Sequence, residues 1–174
     1  PTSAQWYNLV DRVCTATCPA STYKFALNMS CISFCPKPYY LLADTCELSC
    51  SSAGMYADDT TRTCVGTCPL GYYKDSTTSK CVVNCPHSPD TYYADDTSKS
   101  CTLTCQSSAN GPTYADPENF KCVETCSSNP VIYYADPNSL KCVLMCPTAY
   151  SSYADPVSQK CVTTCQSGYF TDNR

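Results

Sequence analysis

Residues 133–146 read YYADPNSLKCVLMC, and residues 152–165 read SYADPVSQKCVTTC. Working outward from this phrase, two registers repeat along the chain. All 18 cysteines fall into C-x-x-x-C pairs: Cys14/Cys18, Cys31/Cys35, Cys46/Cys50, Cys64/Cys68, Cys81/Cys85, Cys101/Cys105, Cys122/Cys126, Cys142/Cys146 and Cys161/Cys165. Six residues before the first cysteine of a pair stand Asp58, Asp75, Asp95, Asp116, Asp136 and Asp155. Two residues before each of these is a tyrosine: Tyr56, Tyr73, Tyr93, Tyr114, Tyr134 and Tyr153. The stretch before that tyrosine varies in length, so length changes fall in one loop per repeat.

The repeated phrase has a local physical reading. Asp116-Pro117 and Asp136-Pro137 place Asp at position i and Pro at i+1, the preferences of a type I turn, with the Asp side chain capping the turn and Pro presetting φ. Tyr-Tyr-Ala before the turn and Lys-Cys-Val after it favour extended chain. Each repeat is therefore expected to be a small β-hairpin. A lone two-stranded hairpin is marginal in water, so something else must hold it.

Composition says what that is. Leu, Ile, Val and Phe together make only 25 of the 174 residues, too few for a conventional core. Disorder would need high net charge and few aromatics, yet the net charge is −4 and there are 15 Tyr. A covalently stapled chain remains, and 18 Cys is the density of a disulfide scaffold. The fold class is accordingly small and disulfide-rich: β-hairpin repeats in an elongated rod or solenoid-like array, with little core and little helix. Disulfides at this density imply an oxidising compartment, secreted, extracellular or at the cell surface. With no signal peptide visible and Pro1 in first position, the sequence reads as a mature or excerpted extracellular piece.

Two chemistries compete for the cysteines. Zinc knuckles use C-x2-C and sometimes C-x4-C; here the spacing is always three, and His87 is the only histidine. Disulfides are the stronger reading. Bridging the second cysteine of one pair to the first of the next would close each hairpin: Cys18–Cys31, Cys35–Cys46, Cys50–Cys64, Cys68–Cys81, Cys85–Cys101, Cys105–Cys122, Cys126–Cys142 and Cys146–Cys161. An interlocked alternative joins first to first and second to second, as in Cys46–Cys64 with Cys50–Cys68. Nine pairs do not divide evenly into such two-pair knots.

The phrase C-V-x-x-C-P, a variable loop, Tyr, Asp, a turn, and K-C-V-x-x-C resembles the furin-like, single-disulfide modules of growth-factor-receptor cysteine-rich domains. In style it is closer still to cysteine-rich surface repeats of ciliated protists. The resemblance covers residues 14–174. It implies second-to-first pairing and modules stacked in a rod, used as spacers, interfaces or coats. There are departures from the pattern. Pro follows the second cysteine at Pro19, Pro36, Pro69, Pro86 and Pro147, but not after Cys50, Cys105, Cys126 or Cys165. The Cys35–Cys46 loop is short, with Asp44 two residues before the cysteine, so its hairpin must be truncated.

Residues 1–13 lack cysteine and are expected to form a lead segment, either a cap or an inter-subunit contact, ahead of an array of eight to nine repeats over 14–174. Cys14 and Cys165 are left over by second-to-first pairing and are candidates for a bond between copies or to a residue outside the segment. The last repeat, Gly168 to Asp172, looks interrupted. Interface candidates are Trp6, Tyr7, Leu9 and Val10, together with Tyr39, Tyr40, Leu41 and Leu42. The repeated tyrosines are expected to pack on the next repeat or its disulfide. Tyr72, Tyr92 and Tyr133 are expected on the opposite strand face, free for other contacts. Asn28-Met29-Ser30 fits the N-glycosylation acceptor pattern.

No nucleophile–base arrangement or phosphate loop is apparent, so an enzyme is not expected, nor a cofactor. Calcium would need several oxygens at close spacing, which one Asp per turn does not supply. The slightly acidic balance gives no footing for nucleic acid, and no apolar run reaches the ~20 residues of a membrane span. The functional expectation is an extracellular structural protein that self-associates end to end into a fibril or surface coat. The alternative is a receptor-type ectodomain segment with an exposed apolar patch, sought at the Cys35–Cys46 loop.

Overall fold

The structure, a computed structural model, describes residues 5–9, 12–51 and 54–169. The chain divides into two compact units, Pro1–Val83 and Asn84–Arg174. Among the described residues the regular structure is almost entirely strand, each of two or three residues, with a short 3-10 turn at Thr148–Tyr150.

In the first unit the strands are β1 (Trp6–Asn8), β2 (Val13–Thr15), β3 (Tyr23–Phe25), β4 (Ser30–Ile32), β5 (Tyr40–Leu42), β6 (Thr45–Glu47), β7 (Tyr56–Asp58), β8 (Thr63–Val65), β9 (Tyr73–Asp75) and β10 (Lys80–Val82). They pair in sequence as antiparallel hairpins. The second unit holds β11 (Tyr93–Asp95), β12 (Ser100–Thr102), β13 (Ser107–Ser108), β14 (Gly111–Pro112), β15 (Tyr114–Asp116), β16 (Lys121–Val123), β17 (Tyr134–Asp136), β18 (Lys141–Val143), β19 (Tyr153–Asp155) and β20 (Lys160–Val162), again paired in sequence. The β13–β14 pair is a small extra hairpin inside the variable loop before β15.

In each of the other hairpins a cysteine is the central residue of the second strand, opposite the central residue of the first: Ala57↔Cys64, Ala115↔Cys122 and Ala135↔Cys142, for example. The eight disulfides formed are Cys18–Cys31, Cys35–Cys46, Cys50–Cys64, Cys68–Cys81, Cys85–Cys101, Cys105–Cys122, Cys126–Cys142 and Cys146–Cys161. This is the second-to-first pattern; the interlocked one does not occur. Each bond ties the chain entering a hairpin to that hairpin's second strand.

Consecutive hairpins are joined by a second device. The first strand of one pairs in parallel with the second strand of the next: β1–β4, β3–β6, β5–β8 and β7–β10 in the first unit, and β11–β16, β15–β18 and β17–β20 in the second. The central N–H of the first strand donates to the carbonyl two residues before the next hairpin's cysteine. Leu41 to Arg62 is 2.8 Å, Ala57 to Ser79 2.8 Å, Ala115 to Leu140 2.9 Å and Ala135 to Gln159 2.9 Å. Those four acceptors have φ between 52° and 59°. A left-handed residue after a type I turn brings the chain back into antiparallel register, and here it also turns its carbonyl toward the neighbouring hairpin. Such a φ is unfavourable for a residue with a Cβ; the hydrogen bond and the covalent closure offset it.

The cores are correspondingly small. Tyr114 packs with Cys126, Ala135 and Cys142 of the next hairpin, flanked by Val123, Tyr133 and Leu140. Tyr40 packs with Cys50 and Ala57, and Phe25 with Cys35 and Cys46. A tyrosine or phenylalanine of one hairpin therefore covers the disulfide of the next, the nearest-neighbour burial of a repeat array.

Two expectations are corrected. Residue 13 is not a boundary, because β1 pairs with β2 across it as Trp6↔Thr15, Tyr7↔Cys14 and Asn8↔Val13. Trp6 and Asn8 stand where other repeats have Tyr and Asp, and Asn8 is 3 % exposed. Within the lead segment, Trp6–Asn8 thus form a strand paired with β2. Tyr72, Tyr92 and Tyr133 precede their strands instead of alternating within them. Their N–H groups close turns onto Pro69, Pro86 and Ser127, and Tyr133 joins the Tyr114 cluster.

Candidate functional site: repeated turns and unpaired joints

Asp58, Asp75, Asp95, Asp116, Asp136 and Asp155 are all buried, with Asp136 at 0 %. Their turns account for this. One carboxylate oxygen accepts from the backbone N–H two residues on: Thr60 to Asp58 at 2.9 Å, Thr77 to Asp75 at 2.9 Å and Val157 to Asp155 at 3.0 Å. The other accepts from a side chain three residues on: Thr61, Thr78, Ser98, Asn119, Ser139 or Ser158. Buried carboxylates need such partners. The hydroxyl or amide at the third position after Asp is the residue that sequence reasoning missed, although it recurs in every Asp repeat. The missing prolines also have an explanation at two positions. Ser127 donates to Asp116 at 2.5 Å and Gln166 to Asp155 at 2.8 Å, from the place where Pro stands elsewhere.

For Asp58 and Asp75 burial opposes ionisation, but the hydrogen bonds from Thr60 and Thr61, and from Thr77 and Thr78, outweigh it and hold both carboxyls below the ordinary range. At Asp155 the Ser158 hydroxyl is the largest cause of a shift in the same direction. Asp59 is lowered first by the Tyr40 hydroxyl and then by the Lys80 and Arg62 charges, against burial. Because these folded-state values are depressed, their stabilisation is complete above the unfolded value near 3.8 and fades as pH falls through the folded values. Amide exchange at Thr60 and Thr77 is therefore expected to be insensitive between pH 8 and about pH 5, apart from intrinsic chemistry, and to lose protection only below about pH 4. Loss of protection near pH 6 would contradict this account.

Some charged side chains on the surface are paired. Lys24 meets Asp44 at 2.5 Å, Lys80 meets Asp59 at 3.4 Å, and the Arg62 guanidinium lies 4.3 Å from the Tyr40 ring centre. Exposed pairs of this kind contribute little. No group of three or more His, Cys, Asp or Glu positioned for a metal occurs among the described residues. His87 stacks on Phe120, with ring centres 4.0 Å apart.

The interface candidates separate. Tyr40 is buried, while Tyr39, Leu41 and Leu42 are half-buried; Tyr39 makes an edge contact with Phe25 at 4.9 Å. The Cys35–Cys46 loop is thus turned inward and is not the exposed patch sought there. Its hairpin is short, with Leu42↔Thr45 closing a two-residue turn. Trp6 is half-buried, Tyr7 and Leu9 are exposed, and Val10 lies outside the described residues, as do residues 170–174 of the last repeat. The apolar concavity of the first unit lies instead beside Leu9, Phe25, Ile32, Phe34 and Pro36, with Asn28 on its wall. Phe34 is 72 % exposed. Asn28 is exposed, and its side-chain oxygen accepts from Ser30 at 2.5 Å.

Cys14 and Cys165 are the free cysteines, the first exposed and the second half-buried. β2 has no parallel partner among the described strands, and neither has β19. Ala57, Ala94, Ala115 and Ala135 are at most 4 % exposed, whereas Ala154 is exposed. No helix among the described residues is long and apolar enough to cross a membrane.

Comparison with protein-family models, curated proteins and solved structures finds no match. The chain is a cysteine-rich, strand-rich repeat protein of a kind that fits an extracellular structural or ectodomain-like module.

Proposed function

We propose that this chain is an extracellular structural protein, a disulfide-stapled repeat array that assembles end to end into a fibril or surface coat. One observation supports the reading: the same parallel strand pairing joins one hairpin to the next within each unit, a joint that can be repeated from module to module. Folded material is spent on the joint itself, since the buried Asp carboxylates serve their own turns and the tyrosines cover neighbouring disulfides. Eight disulfides fit an oxidising compartment, and the style of the repeats resembles furin-like modules and protist surface repeats. An N-linked glycan on Asn28 would suit this setting. Oxidatively refolded protein, imaged by negative-stain electron microscopy across a concentration series, is expected to form filaments or sheets that fall apart in reductant. A monodisperse monomer at every concentration would overturn the proposal.

The concavity beside Leu9, Phe25 and Phe34 favours a second reading, a receptor-type segment that binds a protein ligand. A monomer that captures such a ligand, and loses it on Phe34→Ser, would favour that reading instead.

A further inference from the structure

Resting on the extracellular reading, we propose that Asn28 carries an N-linked glycan whose first sugar lies over the apolar concavity of the first unit, against Phe34 and Ile32. Asn28-Met29-Ser30 is the one N-x-S/T triplet in the sequence. What sets it apart is the turn it occupies. In the six Asp hairpins the buried carboxylate holds the side chain three residues on. At Asn119 that side chain is an amide, donating to Asp116 at 3.0 Å. In hairpin β3–β4 Phe25 stands at the Asp position, packed on Cys35 and Cys46. Asn28 therefore lacks that acceptor. It is exposed, and its amide nitrogen has no hydrogen-bond partner among the described residues. Its side-chain oxygen accepts from the Ser30 hydroxyl at 2.5 Å, so the two polar groups of the triplet already meet.

The surface beside Asn28 suits a sugar. It is a concavity of about 390 Å³ walled by Leu9, Phe25, Asn28, Ile32, Phe34 and Pro36. Phe34 is 72 % exposed and Leu9 53 %, an apolar surface open to water beside a polar acceptor. The concavity is small for a protein partner, whose stable interface takes about 800 Å² a side. It falls at the low end of the ~300–1,000 Å³ of small-molecule pockets. A hexosamine ring presents a face of C–H groups inside a rim of hydroxyls and an amide. The face covers Phe34 and Ile32 while the rim stays in water. Attachment to the wall supplies the ring at an effective concentration on the order of millimolar, so even a weak contact is populated.

The covalent step is glycosyl transfer from a lipid-pyrophosphate-linked oligosaccharide, catalysed by a transferase of the secretory pathway. The Asn28 amide nitrogen attacks C1 of the reducing-end sugar. A C1–N bond forms, and the C1–O bond to the pyrophosphate breaks, its electron pair leaving with the lipid pyrophosphate. The nitrogen gives up one proton to a base of the transferase, and nothing is oxidised or reduced. Ser30 is 2 % exposed in the closed hairpin. A transferase that reads its hydroxyl therefore acts before Cys31 pairs with Cys18.

The test is secretion of the full chain from a eukaryotic host, then enzymatic deglycosylation in H₂¹⁸O and peptide mass spectrometry. The peptide containing Asn28 is expected to take up ¹⁸O. In the intact glycoprotein, NMR should show contacts between protons of the first sugar and the Phe34 ring. Asn28→Gln changes an exposed side chain, leaves the strands and the disulfide in place, and uncovers the concavity. Binding of an apolar-surface dye should then rise about fivefold, and Phe34→Ser should abolish that rise. An unmodified Asn28, or a glycan with no contact to Phe34 and no effect on dye binding, would overturn the proposal. Unmodified Asn28 in a chain that still forms filaments would sink the glycan and spare the structural reading. A glycan packed on Phe34 of a chain that stays monomeric at every concentration would do the reverse.

Discussion

Replacing Cys126 and Cys142 together with serine is expected to open hairpin β17–β18 while leaving hairpins two or more repeats away protected. The strands are three residues each, and nothing in Tyr134–Asp136 or Lys141–Val143 supplies an aliphatic face. The bond closes a loop with a sequence separation of 16, which on the chain-entropy argument contributes about 3 kcal/mol. Its sulfurs are also the surface on which Tyr114 and Ala135 pack, at 2 % and 1 % exposure. Hydrogen exchange of the Ala135 amide, bonded to Gln159 in the next hairpin, should rise roughly 100-fold or more. Serine places hydroxyls in a site where both cysteines are buried, so the Cys126→Ala/Cys142→Ala pair should be damaged less. Both positions must change together, because a single variant would leave a thiol free to exchange with neighbouring bonds. Unchanged exchange in the serine pair would mean that strand pairing and tyrosine packing suffice without the staple.

The same hairpin shows what could and could not be read from the letters. Cysteine spacing and the Tyr-x-Asp register are strict because each has a local cause: one cysteine at the centre of a three-residue strand, one Asp closing a four-residue turn. Both were legible. The first hairpin was not, because Trp6 and Asn8 fill the Tyr and Asp positions with different letters, and Asn caps a turn much as Asp does. The left-handed position hides for a different reason. Arg62, Ser79, Phe120, Leu140 and Gln159 all occupy it and share no side-chain chemistry, since what the joint uses there is the backbone carbonyl. Parallel pairing between hairpins therefore leaves almost no trace in composition. The donor three residues after Asp does leave one, as Thr, Ser or Asn in every case, and was overlooked because Ser and Thr are abundant throughout the chain.

Changing Asp116 to alanine is expected to be the most damaging single substitution among the turns of the second unit. Its carboxylate accepts from the Glu118 N–H at 2.9 Å, the Asn119 amide at 3.0 Å and the Ser127 hydroxyl at 2.5 Å, and it is 1 % exposed. Hydrogen bonds to a charged group contribute more than neutral ones, and removing the shared acceptor takes it from all three donors at once, leaving the Asn119 amide its second bond, to the Ser127 hydroxyl at 2.7 Å. The expected cost is about 2–3 kcal/mol, read as a roughly 30- to 150-fold rise in exchange at the Glu118 amide. Asp116→Asn should fall between alanine and the parent, because it keeps an acceptor for Glu118 but turns an N–H toward the Asn119 donor. The second hairpin indicates how the loss can be recovered. Phe25 stands at the Asp position there, packed on Cys35 and Cys46, while the Asn28 side-chain oxygen accepts from Ser30. The position thus accommodates an apolar residue where the side chain three residues on is exposed and makes no bond to it. Asp116→Ala combined with Asn119→Ala should therefore be clearly less destabilised than the sum of the single changes. Strict additivity would mean that Asp116 acts through backbone conformation alone and not through the donors gathered on its carboxylate.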